Sequence, residues 1–161
     1  MTFTVRVPLV ENPFLIFNAS TAETTPIAAG KLVYMVGDRT VDVVSTAASQ
    51  TPVGFLMQKV KAAYTELPSS FLMRGDLGSS DAFVGDPVGV ACGNGAIYET
   101  DQYHDVGDDG IAYGTSLYCN DNGLLADTDE ASTSTVVAIA LNTLTTAEAA
   151  AGKMLLIKAL V

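Results

Sequence analysis

Apolar and polar side chains alternate one for one at the start of the chain. Phe3, Val5, Val7 and Leu9 share one face, with Thr4, Arg6 and Pro8 between them. That is the two-residue period of a strand. Pro8 has no N–H to give to a ladder, so the segment reads as an edge strand or an extended arm. After the Asn12-Pro13 break comes an apolar run, Phe14-Leu15-Ile16-Phe17. Leu32-Val33-Tyr34-Met35-Val36 closes at Gly37-Asp38, and a β-branched run resumes over residues 41–44. Together they predict a hairpin. A polar loop over 46–51 leads into a strand that begins at Pro52 and reaches about Val60.

The middle of the chain is rich in turns. Phe71-Leu72-Met73 is followed by a Gly/Ser loop over 76–81. Val88-Gly89-Val90-Ala91 and Ala96-Ile97-Tyr98 flank Gly93-Asn94-Gly95, a second hairpin signal. Residues 101–110 carry Asp101, Asp105, Asp108 and Asp109 and read as an exposed loop. Apolar strands follow at 136–141 and 154–157. Between them, Thr145 and Glu148 have capping-box spacing and Gly152 suits the position after a helix end. Short segments between turn signals predict an all-β fold, mainly an antiparallel sandwich or barrel, with one short helix near the C-terminus.

Self-similarity adds a layer. Gly30 to Tyr34 and Gly114 to Tyr118 both open with Gly and close with Tyr, at an offset of 84. At the same offset Val53 meets Val137, Phe55 meets Ile139 and Met57 meets Leu141. The identity is low, so a chance likeness of two strand–turn–loop–strand units stands beside a duplication. The expected organisation is an extended arm over 1–20 and a single β-rich domain over 21–161. Within the domain, two related units at about 28–60 and 112–144 flank a turn-rich connector.

Composition narrows the classes of function. Of 161 residues, 48% are apolar but only 16% charged, against roughly 25% in ordinary soluble domains. The surface must therefore be built from Ser, Thr, Asn, Gly and Ala, which suits packing against copies or a partner. The net charge is −10, which repels phosphate and disfavours direct nucleic-acid binding. No apolar run reaches the length of a membrane span, and no secretory signal pattern is expected at the start. Cys92 and Cys119 are too few for a disulfide framework and read as inert thiols.

The search for chemistry is mostly negative. His104 is the single histidine, in the polar stretch Asp101-Gln102-Tyr103-His104-Asp105, where a base lacks a rigid, dry setting. GxSxG, HExxH, GxxxxGK[ST] and GxGxxG are absent from the sequence. The acids at 101–109, and Asp121, Asp127, Asp129 and Glu130, are hard oxygen donors without EF-hand spacing, so they read as solvated loops rather than a metal site. Arg74-Gly75-Asp76 matches an integrin-binding tripeptide but reads as a turn. The expectation is a protein without catalytic residues, cofactor or metal.

Ala29-Gly30-Lys31-Leu32-Val33-Tyr34, then a turn and a Ser/Thr/Ala loop, then Pro52-Val53-Gly54-Phe55, resembles the small capsid-decoration (cement) proteins of tailed bacteriophages. Gly85-Asp86-Pro87-Val88-Gly89-Val90 looks like a further strand opening of that group. The resemblance implies a β-rich homo-oligomer, trimer favoured over dimer. It also implies a place on the outer surface of the expanded head, bound to the major capsid protein, after synthesis in the host cytoplasm. Under this reading the N-terminal segment supplies the partner interface through Phe3, Val5, Val7, Leu9, Phe14 and Phe17, adding as a strand to a neighbouring sheet edge. The alternative is a free-standing carbohydrate- or ligand-binding β-module, using Tyr98, Tyr103 or Tyr113. The absence of Trp counts against sugar stacking.

Overall fold

Why these segments become strands follows from their β-branched and aromatic content and from the turns that bound them. A computed structural model describes residues 4–7, 14–20, 26–61, 81–92, 95–130 and 135–161, with 4–7, 14–16, 81 and 83 described by backbone alone. The strands are β1 (Thr4–Val7), β2 (Phe14–Ala19), β3 (Leu32–Gly37), β4 (Thr40–Val43), β5 (Pro52–Leu56), β6 (Lys59–Lys61) and β7 (Asp81–Phe83). They continue as β8 (Pro87–Ala91), β9 (Ile97–Thr100), β10 (Tyr103–His104), β11 (Ser116–Cys119), β12 (Leu125–Ala126), β13 (Val136–Ala140) and β14 (Leu155–Ala159). The one helix among the described residues is α1 (Thr146–Ala150). The expected all-β fold with a short C-terminal helix is what the chain adopts.

The strands β2-β4-β3-β5-β8 close into a barrel. Its contacts are antiparallel except β2–β4, where Asn18 faces Thr40 and Ala19 faces Val41 in parallel. Val33, Val41, Leu56, Val88 and Val90 fill the interior and are buried. Closure needs β5 and β8 to approach closely. A Cβ on Gly54 would stand 2.4 Å from the Ala91 carbonyl oxygen, closer than any real contact, so only Gly fits.

The second sheet has the order β1-β9-β14-β13-β11-β12-β10. Only Asp101 and Gln102 separate β9 from β10, so two successive strands lie near opposite ends of this order and the sheet curls into a half-barrel. Leu117, Leu125, Leu144, Leu155 and Ile157 are buried within it. The outer face of the barrel packs on this sheet through Leu32, Val44 and Phe55, which join the same buried cluster as Tyr98, Cys119 and Val137. The rings of Phe55 and Tyr98 lie 6.2 Å apart. Burial of a side chain the size of Phe55 contributes about 2–3 kcal/mol. The Leu32 N–H donates to the Gly123 carbonyl at 2.8 Å, and the Ala47 N–H donates to Asp121 Oδ1 at 2.7 Å.

The two units repeat one another in their pairings. Leu32↔Phe55, Val33↔Gly54 and Tyr34↔Pro52 recur, 84 positions later, as Ser116↔Ile139, Leu117↔Ala138 and Tyr118↔Val136, with the same register shift after the second pair. The bridge Ile27↔Val60 recurs as Ile111↔Leu144. The parallel pair Ala19↔Val41 recurs as Tyr103↔Leu125. A register slip of one residue would turn every side chain to the other face, so agreement in register carries more weight than agreement in residue type.

Three local readings change. The runs around Gly93-Asn94-Gly95 do not form a hairpin with one another. β8 pairs β2 and β5, whereas β9 pairs β14 and β1, so both edges of each strand are taken and the chain crosses there from one unit to the other. The first hairpin turns at Asp38-Arg39 rather than Gly37-Asp38, with Arg39 in the left-handed region at φ 51°. The edge-strand alternative holds for β1, at the border of the half-barrel, but the arm expected over 1–20 also supplies a barrel strand, β2. The helix follows its capping signal. Thr145 Oγ1 accepts from the Glu148 N–H and the Glu148 carboxylate accepts from the Thr145 N–H.

Candidate functional site

The partner-interface positions read from the sequence are dispersed. Val5 stands opposite Tyr98 and Val7 opposite Ile97 in the β1–β9 ladder. Phe14 faces Ala91 and Phe17 faces Val88 in the β2–β8 ladder. The Phe17 side chain is half-buried against the barrel core. Phe3 and Leu9 lie outside the described residues, as does Arg74-Gly75-Asp76. The described members of the set therefore fall on two separate ladders of the chain's own sheets.

The acidic loops do come together. β10 and β12 run in parallel with Tyr103 beside Leu125 and His104 beside Ala126. The next residue on each is an aspartate, Asp105 and Asp127. With Asp109 they form a group in which one carboxylate oxygen from each residue lies within 4.8 Å of the other two. Asp101 and Asp108 are not members. The first loop is tied internally, because both Asp105 oxygens accept from the Gly110 N–H at 3.1 and 2.9 Å, and a further bond joins it to the second. Asp127 Oδ1 accepts from the Val106 N–H at 2.9 Å. Burial pushes the Asp127 carboxyl above its ordinary pKa, the hydrogen bond from Val106 opposes that, and the charges of Asp105 and Asp109 add to the rise. Hard oxygen donors in this arrangement have the chemistry to hold a divalent cation. The same convergence follows from loop closure alone. In the sequence the two acidic segments stand apart. The signal that joins them is the 84-residue offset, which places Leu125 where Val41 lies beside β2.

The remaining candidates are set apart from one another. His104 is exposed, its Nδ1 3.3 Å from Glu130 Oε2, and no nucleophile is among its hydrogen-bond partners in the described residues. Burial first, and the Asp121 charge second, push the Cys119 thiol up to about 12, so it carries no thiolate at neutral pH. Of the tyrosines, Tyr98 is buried, and the Tyr103 hydroxyl donates to the Lys153 carbonyl at 2.7 Å. Tyr113 is exposed, and so are Met35 and Val36 at the end of β3. No local pattern marks this last pair, since β3 reads as apolar throughout. Among the described residues, no helix is long and apolar enough to cross a membrane.

No family model matches the sequence, and no curated protein matches it. Among solved structures the chain is similar to the head fiber gp8.5 N base of bacteriophage phi29, with 16% identity over 91% of this chain and 92% of that chain, at a TM-score of 0.49.

Proposed function

We propose that the chain is a structural protein of a phage virion, a decoration subunit that binds the outer surface of the major capsid protein lattice and stabilises the head. What supports this reading is the resemblance of the segments Ala29 to Tyr34 and Pro52 to Phe55 to the strand openings of decoration proteins. Gly30 stands in the turn just before β3, its N–H bonded to the Leu56 carbonyl at 2.7 Å, and Pro52 to Phe55 lie in the β5 strand that pairs with β3. The resemblance thus lies in the residues that build the barrel. A surface poor in charge suits many weak, identical contacts, which add through multivalency on a lattice. In this reading the chain takes no part in catalysis and touches neither nucleic acid nor membrane.

Co-sedimentation of the full chain with expanded heads of its own phage tests the proposal. Saturable binding at a fixed ratio to capsid subunits is expected, and absence of binding at any ratio sinks it. Exposed Tyr113 favours a second reading, a carbohydrate-binding module. Glycan-array binding lost on Tyr113→Ala, in a chain that does not bind heads, would select it.

A further inference from the structure

The two units are equivalent in their pairings, but the interface between them is not symmetric. The barrel receives, and the half-barrel inserts. On the receiving side Leu32, Val44 and Phe55 are buried, with Ala29 packed beside them. The inserted element is the β11–β12 hairpin, held through the Leu32–Gly123 and Ala47–Asp121 hydrogen bonds.

Moving each side by the 84-residue offset gives two further surfaces, one at the exposed β3–β4 hairpin and one around exposed Tyr113 with Ser116 and Ile139 half-buried. The counterpart of the receiving face is on the half-barrel, at Tyr113, Ser116 and Ile139. The counterpart of the inserted hairpin is the β3–β4 hairpin of the barrel. The large apolar side chains exposed among the described residues are Met35 at 40%, Val36 at 44% and Tyr113 at 70%. Their equivalents are Cys119, 4% exposed, Asn120, 5% exposed, and half-buried Ala29, all within or beside the internal interface. Apolar exposure therefore falls where the interface would continue if it were used again.

Charge fits the same arrangement. A Cβ on Gly123 would lie 2.8 Å from Val43 Cγ2, so these positions touch inside the chain. Their equivalents are Arg39 and Asp127. Arg39 has φ 51° and Gly123 φ 66°, so the two hairpin tips share a left-handed residue at the same place. Using the interface again brings an arginine against Asp127, which stands with Asp105 and Asp109. Such complementarity fixes the orientation of a contact.

We propose that copies of this chain associate head to tail by repeating their internal interface, the β3–β4 hairpin of one copy (Met35, Val36, Arg39) docking on the Tyr113, Ser116 and Ile139 face of the next. The contact joins two different surfaces, so it propagates and closes into a ring where the rotation permits. The inference rests on strand equivalence and not on the virion reading. A monomer that binds heads overturns this inference alone, and an oligomer that does not bind heads overturns the virion reading alone.

Sedimentation velocity on the full chain tests it. Wild type is expected to associate. Val36→Asp and Tyr113→Asp, at exposed positions that leave the melting temperature unchanged, are each expected to weaken association at least about tenfold, as loss of a central interface contact does. Mixed one to one, the two variants are expected to form a heterodimer, because each keeps the surface that the other lacks. Arg39→Glu should fail in the same way and recover when combined with Asp127→Arg. A wild type that stays monomeric, variants that associate as wild type does, or a mixture that remains monomeric overturns the proposal. The last result would assign these surfaces to a symmetric contact or to another partner.

Discussion

Gln58 and Asn142 hold the same place in the two units. Gln58 Oε1 accepts from the Gly89 N–H at 3.1 Å, and Asn142 Oδ1 accepts from the Leu156 N–H at 2.7 Å. In each case the preceding residue makes the backbone bond to the same partner, Met57 N–H to Gly89 and Leu141 N–H to Leu156. The side-chain amide thus stands in for a backbone carbonyl where the strand ladder ends. Asn142→Leu removes the acceptor from a half-buried N–H. It is expected to destabilise by about 1–2 kcal/mol, read from urea unfolding midpoints, and Asn142→Gln should recover part of the loss.

Barrel closure depends on Gly54. Gly54→Ala forces a Cβ against the Ala91 carbonyl, so β5 and β8 must separate. A loss of about 3 kcal/mol is expected from overpacking of this kind. Ala138, the equivalent position, already carries a Cβ, so Ala138→Gly should cost less. Paired thermal melts compare the two, and equal losses would contradict the argument.

The raised pKa of Asp127 makes a signed prediction. A carboxyl that ionises less readily when folded favours the fold below its ordinary value of 3.8, and that contribution is lost as pH rises through the folded value. At neutral pH the Asp127 charge therefore opposes folding. Asp127→Asn keeps the Oδ1 acceptor for Val106 and is expected to raise the melting temperature at pH 7. The gain should vanish toward pH 3. A gain that does not change with pH would assign the effect to packing.

Glu148 works in the opposite direction. The Lys153 ammonium, then the N–H and hydroxyl of Thr145, hold its carboxyl down to about 2, against an ordinary 4.5. Its contribution is present above 4.5 and is lost as pH falls through about 2. Wild type and Glu148→Gln should therefore differ in melting temperature at pH 6 and converge at the acid end. Thr145→Ala, which removes the cap, is expected to cost about 1 kcal/mol or less for so short a helix.

Cys119 reports on the seam between the units. It is buried there with a thiol pKa of about 12, whereas Cys92 is only half-buried. A disulfide reagent at pH 8 is expected to leave Cys119 untouched in the native protein and to modify it at the rate of global unfolding. Rapid modification of both thiols would mean that the units part without unfolding.

The sequence alone determined the fold class, because strand and cap signals are local. Two-residue alternation, turn residues and the Thr145–Glu148 spacing each act within a few positions. It also carried the offset of 84 that the pairings follow. Which strands pair was decided by the tertiary structure. Gly93-Asn94-Gly95 looks like a hairpin turn, yet β8 and β9 pair with strands distant in the chain. Candidate sites were less legible for the same reason. Asp105 and Asp127 meet only because β10 and β12 run in parallel, and Met35 and Val36 are exposed only because their hairpin, unlike its equivalent, has no second unit to cover it. Local sequence sets which faces are apolar. What covers each face depends on contacts made across most of the chain.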